Sequence, residues 1–86
     1  MRQATEIYSR EFDGIFQNLP PHVRAQIESK IREMGRRLDD FPHHRLQGRP
    51  EYRLRVGDYR VVYEFDSLRN ELLLVTLGHR REVYRR

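Results

Sequence analysis

An α+β fold, with a helical hairpin laid on one face of a four-stranded sheet, follows from three observations on this 86-residue chain. Between residues 10 and 38 the apolar side chains recur at helical spacing. From residue 52 onward they alternate with charged ones, which is the two-residue period of strands. Proline, glycine and aspartate punctuate the junctions, so the segments fall in the order β-α-α-β-β-β.

Residues 3–8 can form a short first strand, and Ser9 is placed to cap a helix starting near Arg10. Phe12, Ile15, Phe16 and Leu19 give that helix its apolar stripe. Pro20-Pro21 ends it, and Pro21 can open the next helix, because a first-turn residue needs no N–H partner. Val23, Ile27, Ile31, Met34 and Leu38, spaced by four, four, three and four, predict an amphipathic helix of about 17 residues. Asp39-Asp40-Phe41-Pro42 stops it, and residues 43–51 read as a polar loop.

Strands are predicted at 52–56, 59–66 and 71–77. Gly57-Asp58 suits a two-residue hairpin turn, which sets Val56 against Tyr59, Arg55 against Arg60, Leu54 against Val61 and Tyr52 against Tyr63. Tyr52, Leu54, Val56, Tyr59, Val61 and Tyr63 then share one face, and Arg53, Arg55 and Arg60 the other. The last strand is nearly all apolar and reads as a central strand buried on both faces. Ser67–Asn70 joins it to the preceding strand, and pairing Phe65 near Leu72 brings Leu77 beside Arg60, within a residue. The tail Gly78–Tyr84 then leaves the sheet next to Arg60.

Composition narrows the function classes. There is no cysteine, so neither a disulfide framework nor a thiolate metal site. No segment reads as a signal peptide or a membrane span, so the expected location is cytoplasmic, and residues 1–86 are read as one domain. The net charge of +4 favours an acidic partner. The charge is not segregated, since residues 1–50 and 51–86 each carry +2, so any basic patch must arise from folding. Lys30 is the only lysine among 17 basic residues. A GC-rich genome would favour arginine overall, but it would not place two arginines directly opposite on a hairpin, where they repel. That placement is useful when an anion sits between them.

Arg53, Arg55, Arg60, His79, Arg80 and Tyr84 are therefore expected in one neighbourhood suited to phosphodiester chemistry. Arginines bind phosphate and the charge that grows on it. His79 can move a proton near neutral pH, and Tyr84 can stack on a base. RNA brings its own nucleophile in the 2′-hydroxyl, so no metal or cofactor is required. His43-His44 lacks a spaced third ligand, and Glu51 and Glu64 should lie across from each other and pair with the arginines.

Three motifs give the chain a resemblance to a known family. They are Leu46-x-Gly48, Tyr52-Arg-Leu-Arg-Val-Gly-Asp-Tyr-Arg-Val-Val-Tyr63 and Leu77-Gly-His-Arg-Arg-Glu-Val-Tyr84. Together with the element order, they resemble the RelE/ParE superfamily of type II toxins over nearly the whole length. The resemblance implies a twisted, mainly antiparallel sheet. In the RelE branch it implies a ribosome-dependent endoribonuclease that cuts mRNA in the A site of the 70S ribosome. The implied partner is a cognate antitoxin, with operator DNA bound only through the antitoxin complex.

Arg60, Arg80 and Tyr84 match the family's motif positions, while Arg53 and Arg55 stand where the best-known RelE-type enzymes carry lysines. Arginine stays protonated, so Arg55 is suited to charge stabilisation rather than to proton abstraction. A glutamate–histidine pair, used by some relatives, would here be Glu51 or Glu64 with His79. The ParE branch shares the fold but poisons DNA gyrase, and a chain that has lost activity and only binds RNA or an antitoxin is a third reading. The retained Arg60, Arg80 and Tyr84 favour the nuclease branch.

Overall fold

In the computed structural model, which describes residues 2–84, Ser9 joins strand β1 (Thr5–Tyr8) to helix α1 (Arg10–Phe16). Its Oγ accepts the Phe12 N–H at 3.0 Å, capping the helix, and donates to the Val75 carbonyl at 2.6 Å. One side chain thus starts α1 and ties it to the sheet. Helix α2 (Pro21–Arg36) opens with Pro21 in its first turn and buries Val23, Ile27, Ile31 and Met34. Leu38, two residues past the helix end, is also buried and completes the predicted stripe.

Four further strands follow: β2 (His44–Arg45), β3 (Tyr52–Val56), β4 (Tyr59–Asp66) and β5 (Glu71–His79). The sheet order is β1-β5-β4-β3-β2, with β1 parallel to β5 and the other pairs antiparallel. The sheet therefore has five strands, not four. The additional one, β2, lies within the stretch that reads as polar loop. Two residues are too short to show an alternating pattern, and they become a strand only by bonding along the edge of β3.

The β3–β4 hairpin has the predicted register, from Val56↔Tyr59 to Tyr52↔Tyr63. Gly57 has φ +58°, a backbone conformation open to glycine at little cost, and this is what the tight turn requires. Both helices cover the face that carries Leu54, Val56, Val61 and Tyr63, to which β5 adds Leu72, Leu74 and Leu77. Burying each of these leucines contributes roughly 1.5–3 kcal/mol.

Two details of β5 differ from the sequence reading. Its other face is not fully buried: Leu73 and Val75 are half-exposed, because no second layer covers them. The pairing with β4 also slips by one residue between Val62 and Tyr63. Phe65 faces Leu72 as predicted, and beyond this bulge Arg60 faces Gly78, within the one residue of Leu77 that was expected. A bulge adds one residue to one strand, so it reverses which face every later side chain takes.

Candidate functional site

Arg53, Arg55 and Arg60 lie on the face that the helices leave open, where with His44 they line a hollow of about 320 Å³. The sheet positions all four. His44 is paired with Arg53 across β2–β3, and Arg55 with Arg60 across β3–β4. Arg53, Arg55 and His44 are exposed, whereas Arg60 is only 8% exposed. The Arg60 guanidinium folds back on the hairpin, and its Nη1 donates to the carbonyls of Gly57 at 3.0 Å and Tyr59 at 2.9 Å. A permanent cation is thereby held at a defined place on the floor of the hollow.

The C-terminal turn walls this face. A Cβ on Gly78 would lie 3.4 Å from the Val83 Cβ, so the absence of a side chain at Gly78 lets residues 79–84 fold back over the strand. Val83, Val62 and Thr76 are all buried there, apart from the main core. The Arg80 N–H donates to the Asp58 carbonyl at 2.8 Å, and the Arg80 Nε lies 4.0 Å from the Asp58 carboxylate. Arg80 is thus fastened to the hairpin turn, whose Gly57 carbonyl also holds Arg60. Tyr84 is 38% exposed and lies beside Leu46, Gln47 and Arg49, in the loop that precedes β3.

His79 does not join the arginines. It pairs with Tyr59, their rings 5.9 Å apart, and lines a separate hollow with Ile15 and Leu19 of the helical layer. Its Nδ1 accepts the Arg81 N–H at 3.3 Å. Glu64 borders another hollow, with Ile7, Phe65 and Leu73. Among the described residues, the ion pairs are Lys30–Glu33, Arg37–Glu33, Arg69–Asp66 and Arg80–Asp58. None links Glu51 or Glu64 to the strand arginines, and Glu51 Oε1 is buried without a hydrogen bond.

The two adjacent histidines have different fates. His43 is structural: its ring stacks on Phe65 at 3.9 Å, one nitrogen meets the Leu38 carbonyl at 2.7 Å and the other the Tyr63 hydroxyl at 2.5 Å. The carbonyl can only accept, so Nε2 carries the proton and Nδ1 accepts from Tyr63. Burial and the neighbouring Tyr52 push the Tyr63 hydroxyl to a higher pKa than a free tyrosine. His44, one residue on, points the other way, into the arginine hollow. The sequence reading weighs the pair only as a metal site and sets it aside for want of a spaced third ligand. The signal for His44 is its pairing with Arg53, which is visible once β2 is known to be a strand.

No curated protein matches the sequence significantly. The fold has close counterparts among solved structures. The isolated Escherichia coli RelE toxin superposes with a TM-score of 0.75 at 22% identity, covering 95% of this chain and 92% of that one. The toxin chain of the RelB–RelE complex from Methanococcus jannaschii gives 0.71 at 23%, covering 92% and 95%. That of the archaeal RelE–RelB complex from Pyrococcus horikoshii gives 0.76 at 19%, covering 95% and 100%. Residues 2–84 match the family model described as the ParE toxin of the type II toxin–antitoxin system parDE. An arginine-bearing hairpin on a two-helix sheet, matched over this span, leaves one conclusion: the chain belongs to the ParE toxin family, in the RelE/ParE superfamily of type II toxin–antitoxin systems.

Proposed function

We propose that this toxin is an endoribonuclease of the RelE type, which cuts mRNA in the ribosomal A site and is held in check by a cognate antitoxin. The observation that carries this reading is the hollow lined by Arg53, Arg55, Arg60 and His44 on the uncovered sheet face. Its cations suit an RNA phosphodiester. As the 2′-oxygen attacks the adjacent phosphorus, negative charge grows on the phosphoryl oxygens, and fixed guanidinium groups stabilise that charge more than the ground state. The products are a 2′,3′-cyclic phosphate and a 5′-hydroxyl end.

Arg60, anchored to backbone carbonyls, supplies a cation that needs no reorganisation during the reaction. Arg53 and Arg55 clamp the phosphate from the exposed strand. Arg80 and Tyr84, carried by the C-terminal turn, are suited to bind the flanking nucleotide. The antitoxin is expected to resemble RelB, with which the relatives from M. jannaschii and P. horikoshii form complexes.

The family model's own name supports a second reading, a gyrase poison of the ParE kind. Programmed ribosomes incubated with the toxin, followed by primer extension, separate the two. Discrete cuts within codons support the nuclease. Intact mRNA together with stalled gyrase–DNA complexes would support the poison instead.

A further inference from the structure

We infer that His44 is the group that takes the proton from the attacking 2′-hydroxyl, an assignment that rests on the nuclease reading above. The hollow offers four side chains, and three are arginines, which remain protonated and cannot accept a proton. The groups facing His44 are Arg53 and Arg55 of β3 and Arg60 of β4, and among the described residues no carboxylate lines the space. The other proton acceptors suggested by the sequence do not line it; Glu51, two residues before Arg53, is not among its lining residues. His79 pairs with Tyr59 and borders the helical layer, and Glu64 borders a hollow with Ile7 and Leu73. His43 is committed at both nitrogens to Tyr63 and Leu38.

His44 is exposed and directly across from Arg53, so a phosphate gripped by Arg53 has an imidazole beside it. In the step itself the O2′–P bond forms and the P–O5′ bond breaks. The 2′-hydroxyl proton passes to the imidazole, the leaving 5′-oxygen takes a proton from solvent, and His44 returns its proton to solvent afterwards. An imidazole can take the proton only in its neutral form, so cleavage should fall on the acidic side.

Single-turnover cleavage on preassembled ribosome–mRNA complexes, followed from about pH 5.5 to 8.5, tests this. Wild-type toxin should show a limb that rises with pH. His44→Gln should cleave about 10²- to 10⁴-fold more slowly and lose that limb. Its thermal melting should match the wild type, because the side chain is exposed on a two-residue edge strand. A slower His44→Gln that keeps the acidic limb would show that His44 only shapes the hollow, and would overturn the assignment. So would a limb that survives in His44→Gln but disappears in His79→Gln. Absence of cleavage by the wild type would instead remove the nuclease reading, and this assignment with it.

Discussion

Arg53 and Arg60 carry the same charge in the same hollow but are held differently, and their variants should separate accordingly. Arg60 is buried and donates to two hairpin carbonyls, so Arg60→Ala leaves those acceptors without their partner. It should lower unfolding free energy by about 1–3 kcal/mol as well as slow cleavage by roughly 10²-fold. Arg53 is exposed, so Arg53→Ala should slow cleavage while shifting the urea midpoint little. Equal stability losses in the two variants would contradict the anchoring of Arg60.

Tyr63 gives a prediction at alkaline pH. Its hydroxyl is pushed up by burial first and by Tyr52 second, so the folded state favours the neutral form. In the unfolded chain a tyrosine ionises near pH 10. The stability from this difference is therefore whole below about pH 10 and is lost as pH rises from there toward the higher folded value. Tyr8, although 40% exposed, is pushed in the same direction by partial burial first and its hydrogen bond to Glu6 second. Urea midpoints measured between about pH 8 and 11 should fall more steeply for the wild type than for Tyr63→Phe. Parallel curves would show that Tyr63 does not contribute to the alkaline loss.

Among the elements, the β3–β4 hairpin decides the site. Its turn sets Arg55 opposite Arg60, and Gly57 at φ +58° makes the turn possible. An alanine there would hold a Cβ in the left-handed region, at a cost of about 1–2 kcal/mol, although nothing lies within 4 Å to obstruct it. Gly57→Ala should therefore lower stability by that amount, measured by urea unfolding. Cleavage should drop further than stability accounts for, because the Gly57 carbonyl positions Arg60. A fully active and stable Gly57→Ala would mean that the turn tolerates another geometry.

At the scale of the whole molecule, a net charge of +4 is modest and spread along the chain. The sheet concentrates it, gathering Arg53, Arg55 and Arg60 on one open face. If these three neutralise phosphates of single-stranded RNA, the logarithm of affinity should fall against the logarithm of salt with a slope of about −2. Arg53→Ala should make that slope shallower by about 0.7. Fluorescence anisotropy with a short labelled RNA, between about 50 and 200 mM salt, measures both. A slope indifferent to Arg53 would place the RNA elsewhere. Among the described residues no helix is long and apolar enough to cross a membrane.

What the sequence determined by itself was everything set by short-range rules. Ser9 caps because its hydroxyl reaches the N–H three residues on, and the apolar stripe of α2 follows from the helical period. Gly57-Asp58 dictates the hairpin register, and that alone assigns the aromatic face to the core and gathers the three arginines on the opposite face. Tertiary structure decided the rest. The bulge between Val62 and Tyr63 left no local signature, yet its one-residue slip turns His79 toward Tyr59 and sets Gly78 against Arg60. Val83 packing over that glycine brings the tail back across the sheet. His44 enters the hollow only because two polar residues bond to the edge of β3. A residue's face depends on pairing between distant segments, and the energies that choose that pairing come from side-chain packing, which local periodicity does not record.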